Sequence, residues 1–153
     1  KGGPDNEYST KINRLTSWTQ WGEKMAAFSG TAQYEIKFNR PADREGPWLL
    51  KLGDVRESAK VWLNNQYLGT LWSNPYQLNI KNLKKGKNIL SIQVTNSGSN
   101  RIKAKEARGE EWKIFYNINV VGLDYQPFDA SKLDVMDAGL LEAPLLTPLE
   151  IFE

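Results

Sequence analysis

Two residue types are missing from this chain of 153 residues: it has no cysteine and no histidine. Without cysteine there is no disulfide framework and no thiol chemistry. Without histidine the usual zinc ligands, Ser-His-Asp triads and histidine acid–base catalysis are all excluded. Long apolar runs are missing too; none approaches the ~20 residues that a membrane helix needs. Nor is there a dominant charge, since 20 basic residues face 18 acidic ones for a net +2. One basic cluster, Lys81, Lys84, Lys85 and Lys87, surrounds Gly86 and reads as a solvated turn. A nucleic-acid footprint would be a larger basic face, so neither nucleic acid nor membrane is an expected partner. No Asn-x-Ser/Thr acceptor occurs. The chain starts Lys1-Gly2-Gly3 with no visible signal peptide and reads as a mature or excised piece.

What is present describes one globular domain. Hydrophobic residues make up 40% and charged residues 25%, ordinary values for a folded protein. A chain this long buries roughly 68–70% of its unfolded surface and needs no covalent staples. Residues 1–14 are polar at first, with Gly2, Gly3 and Pro4, and are expected to form a flexible arm; residues 15–153 form the domain. Leu15 to Trp21 is rich in β-formers, and segment 23–29 has room for one helical turn.

From Ala32 to Phe38 the chain alternates. Tyr34, Ile36 and Phe38 share one side, and Gln33, Glu35 and Lys37 the other, the period of a half-buried strand. A loop with Pro41, Gly46 and Pro47 follows, then a strand from Trp48 to Leu52. Ala59 to Thr70 reads as a hairpin with Ala59, Val61 and Leu63 on one face and Asn64-Asn65 at the turn, where asparagine tolerates positive φ. Tyr76 to Ile80 alternates again, and Ile89 to Thr95 puts Leu90, Ile92 and Val94 inward. Trp112 to Val121 is β-rich, and Thr147 to Phe152 is expected to close the sheet. Residues 122–146 read as a long loop packed over the rest. Many short strands and no long helix predict an all-β fold, an antiparallel β-sandwich.

Chemistry is sparse. Glycoside hydrolysis needs two carboxylates at a set separation. The pairs on offer are Asp54 with Glu57 in a loop, and Glu110 with Glu111, which would point to opposite faces of a strand. Both read better as surface carboxylates, so no catalytic residue is assigned. Asp124, Asp129, Asp134 and Asp137 are oxygen donors of the kind calcium takes. Their spacing does not match a compact calcium loop, and loop aspartates commonly cap turns. No metal and no cofactor is therefore assigned, and calcium stays open as a test. Six tryptophans and six tyrosines are the most suggestive feature, because flat rings pack on the C–H faces of sugars as well as in cores. Trp18, Trp48 and Trp62 sit in strand-like segments and read as core or sheet-face residues. Trp72, just past a strand end, reads as an exposed platform, and Trp112 beside Glu110 and Glu111 is similar.

The run from Leu52 to Trp72 carries Val61-Trp62-Leu63-Asn64-Asn65, a return strand through Gly69, and later Gly86-Lys87-Asn88-Ile89-Leu90 followed by Val94-Thr95-Asn96. This pattern resembles the galactose-binding-like jelly-roll modules attached to glycoside hydrolases such as those of family 2. Asn65 stands where those modules usually have glycine. Phe28 to Tyr34 resembles their entry. Asn100-Arg101-Ile102 and Trp112-Lys113-Ile114-Phe115 resemble the terminal module of the α-L-rhamnosidase-like proteins of glycoside hydrolase family 106. Gly139 to Pro144 departs from that pattern. The similarity runs from about Leu15 to Leu149.

The resemblance implies a jelly roll without catalytic residues, since in such enzymes the catalytic carboxylates sit in a separate barrel domain. It implies a secreted or periplasmic home. It also implies a ligand site in the loops at one end of the sandwich, here Asp54, Arg56, Trp72, Asn74 and Tyr76. Arg56 and Asp54 would hold hydroxyls and Trp72 a ring face, unless the two charges only tie their loop together. Two roles stay open. One is an accessory module supporting the catalytic domain of a parent enzyme, with exposed apolar residues such as Trp18, Phe28 or Phe152 at the contact. The other is an independent carbohydrate-binding module for a plant or microbial glycan. A stand-alone glycosidase is disfavoured by the missing histidine and acid pair.

Overall fold

The computed structural model describes residues 9–41, 45–81, 83–114, 123 and 125–150. Its strands, in chain order, are β1 (Thr31–Asn39), β2 (Trp48–Lys51), β3 (Val55–Arg56), β4 (Ser58–Leu63), β5 (Gln66–Leu71), β6 (Gln77–Ile80), β7 (Lys87–Thr95), β8 (Gly139–Leu140) and β9 (Leu145–Pro148). Two α-helices join them, α1 (Glu23–Ala26) and α2 (Ser99–Ala107). The strands form an antiparallel four-stranded sheet in the order β1-β7-β4-β5, a three-stranded sheet β6-β2-β9, and the short pair β3-β8.

The expected alternation is what builds the core. Ala59, Val61 and Leu63 of β4 meet Leu90, Ile92 and Val94 of β7, all buried. Trp48 and Leu50 of β2, Ile80 of β6 and Leu140 of β8 join them in one cluster. Each fully buried aliphatic side chain contributes about 1.5–3 kcal/mol relative to exposure. The β4–β5 turn takes positive φ at Asn64 (49°) and Asn65 (68°), the geometry that matches the right-handed twist of a hairpin. Between Val61 and Trp62 the β4–β5 register slips.

One asparagine in the core has every reason to be there. Asn88, fully buried, accepts from the Asn64 side chain at 2.9 Å and from the Lys84 amide at 3.0 Å. Its amide group donates to the Lys84 and Gly86 carbonyls at 3.0 Å each. Asn64 in turn accepts from the Ile89 amide at 2.9 Å. The two side chains thus lock the β4–β5 turn to the turn that opens β7, which accounts for an asparagine two residues after Gly86.

Several expectations need correction. Trp18 is not at an exposed contact surface. It lies in a 3-10 turn, Trp18–Gln20, fully buried and edge-on to Phe28 at 5.6 Å. Phe28 is half-buried, and Phe152 lies outside the described residues. The segment from Trp112 is not a strand as far as Ile114, and residues 115–122 lie outside the described set. The closing strand comes two residues earlier than expected and ends at Pro148. Residues 9–14 of the expected arm are exposed without regular structure, and 1–8 are not described. α2 was not foreseen. It carries good helix formers but little apolar surface, and of its residues only Asn100 is buried.

Residues 125–146 do more than cover the sandwich. The Asn100 side chain donates to the Met136 carbonyl at 2.7 Å and accepts from its amide at 2.8 Å. Lys103 reaches the Ser131 and Leu133 carbonyls. The chain then runs inward. The Ala138 amide donates to Ser17 Oγ at 2.9 Å, and the Trp18 amide to the Ala138 carbonyl at 3.0 Å. The Leu140 amide donates to Tyr34 Oη at 3.1 Å. Gly139 sits between Tyr34 and Trp18 at φ 111°. A Cβ there would come within 2.5 Å of Tyr34 Oη and 3.0 Å of the Trp18 ring.

Two outcomes follow from this contact. Gly139→Ala combines a disfavoured φ with a clash against buried rings and should destabilise by about 2–4 kcal/mol in urea unfolding; a loss under about 0.5 kcal/mol would contradict it. Burial raises the Tyr34 phenol above its ordinary value of 10.0, against a smaller lowering by the Leu140 amide. A folded pKa above the unfolded one gives stability that is complete below pH 10 and is lost as pH rises through the folded value. The urea midpoint should therefore fall above about pH 10, and fall less in Tyr34→Phe.

Candidate functional site

The loops after β2 and β5 and the residue pair after β8 meet at one end of the molecule. The Leu52 amide donates to the Tyr76 carbonyl at 2.9 Å, and the Leu141 amide to the Asp54 carbonyl at 2.9 Å. Glu142 folds over Gly53, whose φ is 71°. Any side chain at position 53 would collide with the Glu142 carboxylate. The Arg56–Glu57 and Asn74–Pro75 peptide bonds in this region are both cis. Between these segments opens a cleft of about 500 Å³, whose walls include Asp54, Arg56, Glu57, Asn74, Tyr76 and Glu142.

Four of the five residues expected from the sequence therefore share one cleft: Asp54, Arg56, Asn74 and Tyr76. Trp72 does not line it and is 77% exposed. Glu57 and Glu142 were missed as wall residues. The sequence offers Glu57 only as a carboxylate partner for Asp54, and Glu142 is brought in by a contact across the chain that no local pattern announces.

Arg56 donates from Nε and Nη2 to the two Asp54 oxygens, both at 2.7 Å. This bidentate bond is the main cause that lifts Arg56 above the ordinary arginine value. The pair is 45% and 33% exposed, so its worth for stability is small. Its effect is positional: it presents a fixed fork of donors and acceptors at the cleft wall. The Tyr76 hydroxyl donates to the Glu57 carbonyl at 2.6 Å. Burial raises its phenol, the charges of Glu57 and Asp54 add to the rise, and Arg56 opposes it. The cleft thus offers carboxylate and amide oxygens, a guanidinium and a phenol, groups that bind hydroxyls.

The other candidates are engaged elsewhere. Glu110 pairs with Arg108, which holds its carboxyl below the ordinary range. The Trp112 indole donates to the Glu106 carboxylate, and the Lys113 ammonium lies 5.3 Å from the Trp112 ring centre. Asp129 caps the 3-10 turn Ala130–Lys132 by accepting from the Ser131 amide at 3.0 Å and its hydroxyl at 2.6 Å. Asp124 lies outside the described residues. Among the described residues no group of three or more metal-ligating side chains comes together, and no helix there is long and apolar enough to cross a membrane.

No protein-family model matches the chain. A Formosa agariphila protein provisionally named a β-glucuronidase is 36% identical over 101 residues, 63% of this chain and 9% of that protein. A rhamnosidase from Novosphingobium sp. PP1Y superposes over 95% of this chain and 13% of its own, with a TM-score of 0.72 and 27% identity. A family 2 β-galacturonidase from Eisenbergiella tayi shares the fold over 63% of this chain and 17% of its own, with a TM-score of 0.50 and 20% identity. The chain spans a small part of each. The likenesses place it among β-sandwich modules related to glycoside hydrolases.

Tyr76→Phe tests whether the cleft wall is set by the hydrogen bond to Glu57. Loss of that neutral bond should cost about 0.5–1.5 kcal/mol in thermal or urea unfolding. No loss would mean that the Tyr76 hydroxyl does not fix the wall.

Proposed function

We propose that this chain is a non-catalytic accessory module of a polysaccharide-degrading glycoside hydrolase, a galactose-binding-like jelly roll that supports the catalytic domain and holds carbohydrate in its cleft. One observation carries the reading: almost the entire chain matches a portion that is only 13% of a rhamnosidase. A domain-sized match inside a much longer enzyme is what an accessory module looks like. An α-L-rhamnosidase-like parent fits that match, and a secreted or periplasmic location fits a polysaccharide substrate.

The cleft favours the second role, carbohydrate binding by the module itself. Asp54, Arg56, Asn74 and Tyr76 supply donors and acceptors on fixed backbone. Asp54 is a poor catalytic acid here because both of its oxygens accept from Arg56.

The purified chain should release no chromophore from nitrophenyl α-rhamnosides, β-glucuronides or β-galacturonides. Turnover that persists through purification would sink the non-catalytic reading. On a glycan array it should retain plant or microbial oligosaccharides weakly, and Arg56→Ala should lose those that occupy the cleft. Retention unchanged in Arg56→Ala would remove the cleft as the site.

A further inference from the structure

Trp72 stands apart from the cleft, and the sheet explains where it belongs. Along β5, Leu71 pairs with Ala59 and packs toward the core, so Thr70 faces outward, and Trp72, the residue that follows the strand, is 77% exposed. Tyr67 lies on the outer face as well, 52% exposed, its hydroxyl 2.6 Å from Thr70 Oγ1. On β4 next door, Trp62 meets the Tyr67 ring at 5.4 Å between centroids with the planes 53° apart. Trp62 and Tyr67 thus form an aromatic pair on the outer face of the four-stranded sheet, with exposed Trp72 just past the end of β5.

Their neighbours are polar. The register sets Gln33, Gln93, Lys60 and Thr70 in one row across the sheet, beside Trp62 and Tyr67 in the next. Gln93 donates to Gln33 at 3.1 Å. Glu35, on the same face, pairs with Lys37 at 3.3 Å. Four strands make such a row about 14 Å wide. A large aliphatic side chain on this face, Ile89, is 37% exposed and stands at its far end.

We infer that this outer sheet face is a second binding surface, separate from the cleft, and that its ligand is an extended polysaccharide strand. The chemistry selects that occupant. A dry protein interface clears charge from its centre, whereas here Lys60, Gln93 and Thr70 are interleaved with the rings. A sugar chain presents apolar C–H faces alternating with hydroxyls, and this surface presents rings alternating with amides, a hydroxyl and an ammonium. Exposed aliphatic side chains such as Val135, Met136 and Leu145 lie on other segments of the chain, after α2 and on β9. The inference adds a site to the accessory-module reading and does not use the cleft.

Affinity electrophoresis of the full chain through gels containing xylan, galactan, rhamnogalacturonan or polygalacturonate tests it. At least one polymer should retard the chain. Trp72→Ala and Tyr67→Ala should each weaken that retardation about three- to tenfold, while Lys132→Ala, at an exposed position outside both surfaces, leaves it unchanged. Trp72 is so exposed that its removal should not move the thermal midpoint, and Lys60→Ala gives a second surface variant should Tyr67→Ala unfold. Retardation lost in Arg56→Ala but kept in both aromatic variants overturns the sheet-face site while leaving carbohydrate binding by the cleft intact. Retardation by none of the polymers overturns the sheet-face site outright. A dimer in size-exclusion chromatography that Trp72→Ala dissociates also overturns it, because a second copy would then cover the face.

Discussion

The contact of Gly139 with Tyr34 and Trp18 is the point on which the rest of the molecule depends. It joins segments more than a hundred residues apart in the chain: the Leu140 amide finds its acceptor on β1, and the Ala138 amide on Ser17. It anchors the chain from 138 to 142, ahead of the pairing of β9 with β2. With it, Leu140 pairs with Val55, Leu141 with Asp54, and Glu142 settles over Gly53. One wall of the cleft is therefore set by a glycine buried against two rings at a distance from the cleft itself. Such long-range closure is entropically costly, and the buried side chains of Trp18, Leu140 and Tyr34 offset it.

A second device recurs where loops must be pinned to strands. Asn64 and Asn88 join two turns. Asn96 donates to the Phe28 carbonyl at 3.0 Å and accepts from the Gly30 amide at 2.9 Å. Asn100 does the same with Met136. In the last two cases a side-chain amide imitates the paired hydrogen bonds of a neighbouring strand, satisfying backbone groups that no ladder reaches. A chain without cysteine has no disulfides to staple it, and these loops are held by neutral hydrogen bonds. These are individually modest, yet removing one partner leaves buried groups unsatisfied at about 1–3 kcal/mol each.

These two devices also explain what could be read in the residues alone. Period-two alternation is local, so β1, β4 and β7 and their inward faces were legible, and so was the Asn64-Asn65 turn. β8 was not. It is two residues long, its pairing with β3 is non-local, and Gly139 looks like any loop glycine until Tyr34 is placed beside it. α2 was hidden for the opposite reason: its side chains make an adequate helix but no apolar stripe, because it is anchored by Asn100 and Lys103 through hydrogen bonds. Of the cleft, Asp54, Arg56, Asn74 and Tyr76 are expected only through the family resemblance, which implies a site in the loops at one end of the sandwich. Glu142 depends on the long-range closure. Trp72, 77% exposed, does not line the cleft even though it is close to Asn74 and Tyr76 in sequence.

The separation of Trp72 from the cleft bears on how such a module could act within a large enzyme. The cleft is deep in charge and short of ring surface; the sheet face carries the Trp62–Tyr67 pair among amides, with the exposed ammonium of Lys60 and the Lys37–Glu35 ion pair. A single sugar in the cleft would be held by directional bonds to Arg56 and Asp54, which makes recognition sensitive to hydroxyl stereochemistry. A strand lying on the flat face would be held by stacking, which is tolerant of stereochemistry and gains with length. Weak contacts at two places raise the effective concentration of a polymer without requiring either to be strong. Both surfaces rest on the four-stranded sheet and the loops clamped to it, so a rigid sandwich fixes the direction in which a bound chain would leave the module. A catalytic domain would gain from that fixed direction more than from affinity alone, because positioning is what proximity to a reacting bond requires.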